Sequence, residues 1–299
     1  MSVFKGAAVA IITPFNDDAD QTVNYDAFAD FIDYQIDNGT DAIVVAGSTG
    51  EAATMTEAEH LAACKFAIEY TKGRVPVIAG SGSNCTRTAI ALSKEIASYG
   101  ADGLLVVSPY YNKGTQDGLY LHYKAVAESV PAVPIIIYNV PSRTGGNVLP
   151  ATVARLVKDV PNIVGIKEAS GDIGQICKLM ALTDGNIELY SGNDDQVVPL
   201  LALGGQGVIS VVSNVAPRQM HDLCAKFFEG DIAGSAKIQR ELQDLFEALF
   251  SEVNPIPVKE AVNLIGYKAG PPRMPLTPMT PAKAEAMEAV MRRMGLIAQ

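Results

Sequence analysis

The segment IVGIKEASGD, residues 163–172, opens as a run of small and β-branched apolar residues and then sets a cation, Lys167, at its end. Such a run reads as a buried strand. Lysine is among the residues least often fully buried, because its ammonium gives up hydration that apolar neighbours do not replace. A strand ending on lysine therefore either reaches water or delivers an amine to a site.

Seven further runs of the same kind occupy residues 7–12, 42–46, 75–79, 103–107, 134–139, 187–190 and 207–212. Segments of helical period separate them. In YDAFADFIDYQIDNG, Phe28, Phe31, Ile32 and Ile36 share one face and Gly39 supplies the stop; TRTAIALSKEIASYG repeats the device with Ala89, Leu92, Ile96 and Gly100. Strands alternating with helices at intervals of about 20 to 35 residues predict an α/β fold, a parallel sheet closed into a (β/α)8 TIM barrel of typically about 250 residues. A doubly wound open sheet is the alternative. Against it, GSGSNC after the third run carries Gly80 and Gly82 but Cys85 where a dinucleotide fingerprint needs its last glycine.

Beyond Gly230 the strand pattern stops, and DIAGSAKIQRELQDLFEALF carries Ile238, Leu242, Leu245, Phe246 and Leu249 at helical spacing. A last helix is punctuated by Thr280 as N-cap, Pro281 at the first helical position and Gly295 near its end. The expected division is a catalytic barrel over 1–229 and a C-terminal helical domain over 230–299.

Composition narrows the function. The 299 residues are 48% hydrophobic and 19% charged, with a formal net charge of -10, which argues against nucleic acid or an anionic membrane surface as partner. Four scattered cysteines without a CxxC pair indicate neither a disulfide framework nor a zinc site and fit a reducing cytoplasm. The three histidines form no metal-ligand spacing, so no metal is expected. Lys5 and the apolar run after it imitate a signal peptide but break at Thr13-Pro14 without a small-residue cleavage pattern, so a first strand is the better reading. No run approaches the roughly 20 apolar residues that span a bilayer.

In a barrel of this kind the active site sits where strands end and βα loops begin. Those positions hold GSTGE after the second strand, SPYYN after the fourth, YNVPSRTG at the fifth, Lys167 at the sixth and SGNDD at the seventh. Gly204, Gly205 and Gly207 precede the eighth strand and belong to the opposite rim as turn glycines. Tyr138 closes the strand beside that of Lys167, so a phenol and an amine come within reach of one carbonyl. A lysine in a partly desolvated mouth has its pKa lowered, which frees the amine for Schiff-base formation. The tyrosine then serves as general acid and base.

GSTGE, PYYN, YNVPSRTG, IKEAS, GVISV and NPIPVK, in that order along essentially the whole chain, resemble the signatures of the dihydrodipicolinate synthase branch of the N-acetylneuraminate lyase superfamily. The resemblance implies a (β/α)8 barrel with a C-terminal helical domain, a homotetramer built as a dimer of dimers, no cofactor, and condensation of pyruvate with L-aspartate 4-semialdehyde on the route to diaminopimelate and lysine. It implies that Lys167 forms the Schiff base, that Tyr138 moves protons, and that Ser48 and Tyr111 complete a relay, Tyr111 entering the neighbouring subunit's site. Thr49, with backbone near Ile209, would hold the pyruvate carboxylate, and Arg143 that of the semialdehyde.

Ser48 stands where most synthases of this branch have Thr, and it keeps the hydroxyl. Arg143 is a synthase feature, and Val211 replaces a sugar-binding serine of sialate lyases. Another pyruvate aldolase, acting on a sialate or sugar acid, is the alternative enzyme, and a catalytically silent keto-acid-binding barrel the alternative of another class. The lysine-inhibition site of relatives is matched at Asn84, Tyr110 and His60. Glu57 replaces a histidine there and Thr88 a glutamate, so feedback by lysine is expected to be weak or absent.

Overall fold

The computed structural model describes residues 2–298. Eight parallel strands close into a barrel in sequence order: β1 (Gly6–Ala10), β2 (Ala42–Val45), β3 (Val77–Gly80), β4 (Gly103–Val107), β5 (Ile135–Asn139), β6 (Ile163–Glu168), β7 (Glu188–Ser191) and β8 (Gly207–Ser210). β1 pairs with both β2 and β8, which closes the ring. The strands are apolar along most of their length, with polar residues gathered mainly at their C-terminal ends, because each face meets a different core. Val9, Ile43, Val106, Ile137 and Ile166 belong to the layer shared with the helices, whereas Ala8, Val44, Ile78, Leu105, Ile136 and Ile209 fill the barrel interior.

At the end where the strands begin, Phe4 stacks on Tyr190 with ring centroids 4.2 Å apart, and the Tyr190 hydroxyl donates to the Phe4 carbonyl at 2.8 Å. β1 and β8 approach there so closely that a Cβ on Gly207 would lie 1.8 Å from the Gly6 carbonyl oxygen. The glycines before β8 thus serve the floor of the barrel, away from its mouth.

The first and last strands stop short of 7–12 and 207–212 because side chains capture their amides. Asn214 Oδ1 accepts from the Ile12 N–H at 3.1 Å, and Asp194 Oδ2 accepts from those of Val211 and Val212 at 3.0 and 3.3 Å. The chain leaves the ladder at both places.

The helix Tyr25–Asp37 begins at Asn24, whose side chain accepts from the Ala27 N–H, and buries Phe28, Phe31 and Ile32. Thr86–Ser98 buries Ala89, Leu92 and Ile96 in the same way. After β8 come helices Pro217–Phe228, Ile232–Glu241, Gln243–Leu249, Ile256–Leu264 and Pro281–Arg293. The single apolar stripe read over DIAGSAKIQRELQDLFEALF is divided at Leu242, and Ile238 is only partly buried. Pro281 opens the last helix after Thr280, but the Thr280 hydroxyl donates to Glu252 at 2.7 Å rather than capping.

Candidate active site

β5 and β6 do not pair evenly. Ile135 faces Ile163, yet Ile136 faces Gly165, so Val164 is an extra residue in β6. In a regular strand, Ile163, Gly165 and Lys167 would share one face. The bulge breaks that parity: Ile163 and Ile166 both join the core under the helices, while Lys167 turns into the barrel. Beyond it the register is regular, and Lys167 pairs with Tyr138 on one side and Tyr190 on the other.

Lys167 Nζ lies 4.4 Å from the centre of the Tyr138 ring, and the two residues are only 6% and 7% exposed. Burial, opposed by the Asp194 carboxylate and assisted by the Arg143 guanidinium, brings the amine from 10.5 to about 8. Burial raises the Tyr138 phenol, while Arg143 and the Ser48 hydroxyl pull it down. Asp194, from SGNDD, is buried, with Oδ2 on two backbone amides and Oδ1 without a protein partner. Behind the pair, Asn139 Nδ2 donates to both oxygens of the buried Glu168 at 3.1 Å, joining the ends of β5 and β6.

A cavity of about 220 Å³ opens above Lys167 and is lined by Ser48, Thr49, Tyr138, Arg143, Val211 and Asn254, among others. Arg143 lies in the short helix Pro141–Thr144, and its guanidinium donates to the Asn254 carbonyl at 3.0 Å. Asn254 Nδ2 in turn donates to the Thr49 hydroxyl at 3.0 Å. One residue of the C-terminal segment therefore bridges the loops after β2 and β5. Sequence reasoning quoted NPIPVK without assigning Asn254 a task, and it left Asp194 unassigned; a polar residue ahead of two prolines and a doubled aspartate at a strand end were the available signals.

The cavity does not gather every expected residue. Ile209 is fully buried in the barrel interior, and Val211 lines the mouth from the end of β8 instead. Tyr111 is 90% exposed, with φ of 70°, and is absent from the lining of its own chain's cavity. A second cavity, about 280 Å³, gathers Glu57, His60, Thr88 and Tyr110 and shares Gly47, Ser48, Leu105 and Tyr138 with the first. Asn84 sits beside it, donating to the Tyr110 carbonyl at 3.2 Å. His60 bonds the Gly80 carbonyl at 2.7 Å, and burial lowers its pKa. Among the described residues no cluster of His, Cys, Asp and Glu is placed to hold a metal ion, and no helix is long and apolar enough to cross a membrane.

The family model described as the dihydrodipicolinate synthetase family matches residues 3–294. A 4-hydroxy-tetrahydrodipicolinate synthase of Lachnoclostridium phytofermentans is 55% identical over 297 residues, covering 99% of this chain and 100% of the relative. The solved dihydrodipicolinate synthase of Thermotoga maritima superposes with a TM-score of 0.95 at 44% identity over 99% of this chain and 100% of that one. The enzyme of Acinetobacter baumannii, solved in complex with pyruvate, gives 0.94 at 41% identity over 98% and 99%. With a matching model over nearly its whole length and close relatives of equal length, the chain belongs to the dihydrodipicolinate synthetase family.

Proposed function

We propose for this chain the 4-hydroxy-tetrahydrodipicolinate synthase reaction, condensation of pyruvate with L-aspartate 4-semialdehyde through a Schiff base on Lys167. The observation that carries it is a buried amine with a lowered pKa, 4.4 Å from the Tyr138 ring, at the base of a cavity whose rim holds Arg143. The neutral amine adds to the keto carbon of pyruvate, Tyr138 supplies the proton with which the hydroxyl departs as water, and the resulting phenolate takes a methyl proton from the iminium to give the enamine and restore the phenol. The enamine carbon attacks the aldehyde carbon, Tyr138 protonates the alkoxide, and the amino nitrogen of the semialdehyde attacks the iminium, closing the ring and releasing Lys167 as the free amine. Thr49 holds the pyruvate carboxylate, Ser48 hands protons to and from Tyr138, and Arg143 pairs with the carboxylate of the semialdehyde, a planar match for guanidinium. Val211, apolar at the mouth, offers nothing to a sugar hydroxyl and disfavours a sialate substrate.

The exposed Tyr111 fits a role in the site of a neighbouring subunit, within a homotetramer. Four free cysteines suit a cytoplasmic setting. The second cavity, with Glu57, His60, Tyr110 and the adjacent Asn84, is the proposed place of weak or absent lysine feedback. Borohydride reduction with pyruvate should leave one pyruvate-derived group on Lys167, and the enzyme should turn over L-aspartate 4-semialdehyde but not cleave N-acetylneuraminate. No adduct, or one on a different lysine, would sink the proposal.

A further inference from the structure

The loop after β2 carries two of the hydroxyls assigned above, and it ends on Glu51, a non-glycine residue with φ of 55°. That left-handed conformation persists only where neighbours over-determine it. Glu51 Oε1 accepts from Lys259 Nζ at 2.8 Å, with the two side chains 0% and 1% exposed, and Oε2 accepts from the Arg273 N–H at 2.8 Å. The Glu51 N–H donates to the Ser48 carbonyl at 3.2 Å, so whatever fixes Glu51 fixes the peptide of Ser48. Lys259 also donates to the Pro271 carbonyl at 3.0 Å and lies 4.2 Å from the centre of the Phe15 ring.

Five positions before Lys259, Asn254 donates to Thr49 and accepts from Arg143. The C-terminal segment thus grips the loop at Thr49 and again at Glu51. Stability alone is a poor reason for the inner grip, because replacing a buried ion pair by neutral residues of similar volume is often neutral or stabilising. What such a pair does provide is a fixed geometry in both partners.

We propose that Glu51 and Lys259 are positioning residues for the reaction assigned to this chain, their buried ion pair setting the Ser48–Thr49 loop so that its hydroxyls meet the pyruvate carboxylate and the Tyr138 phenol. The inference rests on that reaction. It joins GSTGE and NPIPVK, more than 200 residues apart (|i−j| of 208), into one device, and it makes the C-terminal helices a working part of the barrel's mouth.

The test is the double variant Glu51→Gln/Lys259→Met, which removes both charges and keeps an acceptor for the Arg273 amide. It should fold, with Tm within about 5 °C of the parent. A displaced loop should raise KM for pyruvate and slow imine formation by about tenfold to a hundredfold, leaving KM for L-aspartate 4-semialdehyde within about threefold, since Asn254 still holds Arg143. Adding Thr49→Val should change little more, because the same hydroxyl is already misplaced. A folded double variant with parent-like pyruvate kinetics overturns the inference, as do losses that multiply with Thr49→Val. Failure to fold overturns it too, by assigning the pair to stability. Absence of a pyruvate adduct on Lys167 in the parent refutes the reaction itself, a separate outcome.

Discussion

Imine formation should titrate with the free amine of Lys167, and its midpoint should lie near pH 8. Burial and the nearby Arg143 charge lower the amine from 10.5 to about 8 against the pull of Asp194. At 1.36 kcal/mol per pH unit this is roughly 3 kcal/mol favouring the neutral form. Near pH 7.5 about a quarter of the lysine is then free, against about 0.1% for an ordinary one, a gain of roughly 200-fold in reactive amine. The rate of pyruvate adduct formation, followed by rapid-quench cyanoborohydride trapping and mass spectrometry between about pH 6 and 10, should rise and flatten above the midpoint. The causes give two signs. Asp194→Asn removes an anion that favours the ammonium and should move the midpoint down; Arg143→Met removes a cation that disfavours it and should move the midpoint up. A profile still climbing at pH 10, or a shift of both variants in one direction, would refute the reasoning.

Tyr138→Phe should keep the barrel folded and lower turnover by about 10²- to 10⁴-fold, the usual worth of a general acid–base, measured in a coupled assay. Arg143→Ala should still trap pyruvate on Lys167 while losing about 10- to 150-fold in apparent affinity for L-aspartate 4-semialdehyde, the equivalent of roughly 1.5 to 3 kcal/mol for a charge-assisted pairing. Lysine titrated into the same assay should reach half-inhibition only above about a millimolar, because Thr88 gives the second cavity a neutral hydroxyl in place of a carboxylate worth about 1.5 to 3 kcal/mol. Inhibition well below that concentration would show that Glu57 compensates.

The barrel was legible because each strand is buried on both faces and so carries its signal in every residue. Strand ends were less so. At Ile12, Val211 and Val212 the amides are taken by Asn214 and Asp194, partners 17 to 202 positions away in sequence, and no local propensity foretells that. The same limit hides the bulge at Val164: alternation alone puts Lys167 on the face of Ile163, and only the pairing with β5 reveals that it turns inward. Lys167 and Tyr138 are legible from their places at strand ends, Thr49 and Arg143 from the family resemblance, and the fold brings all four to one cavity. Asn254 and the Glu51–Lys259 pair escaped notice because their meaning lies in contacts across more than half the chain. Tyr111 is readable only as an exposed aromatic, since its proposed destination is a second copy.

Phe4 and Tyr190, stacked across the base of the barrel, make the chamber above them a cul-de-sac. Lys167 is buried within this chamber, whereas Arg143, which lines the same cavity, is exposed at its rim. In the proposed scheme the keto acid takes the deeper group, Lys167, and the aldehyde the shallower one, Arg143, a layout that favours entry of the keto acid first. A chamber closed at its base favours filling from the bottom upward.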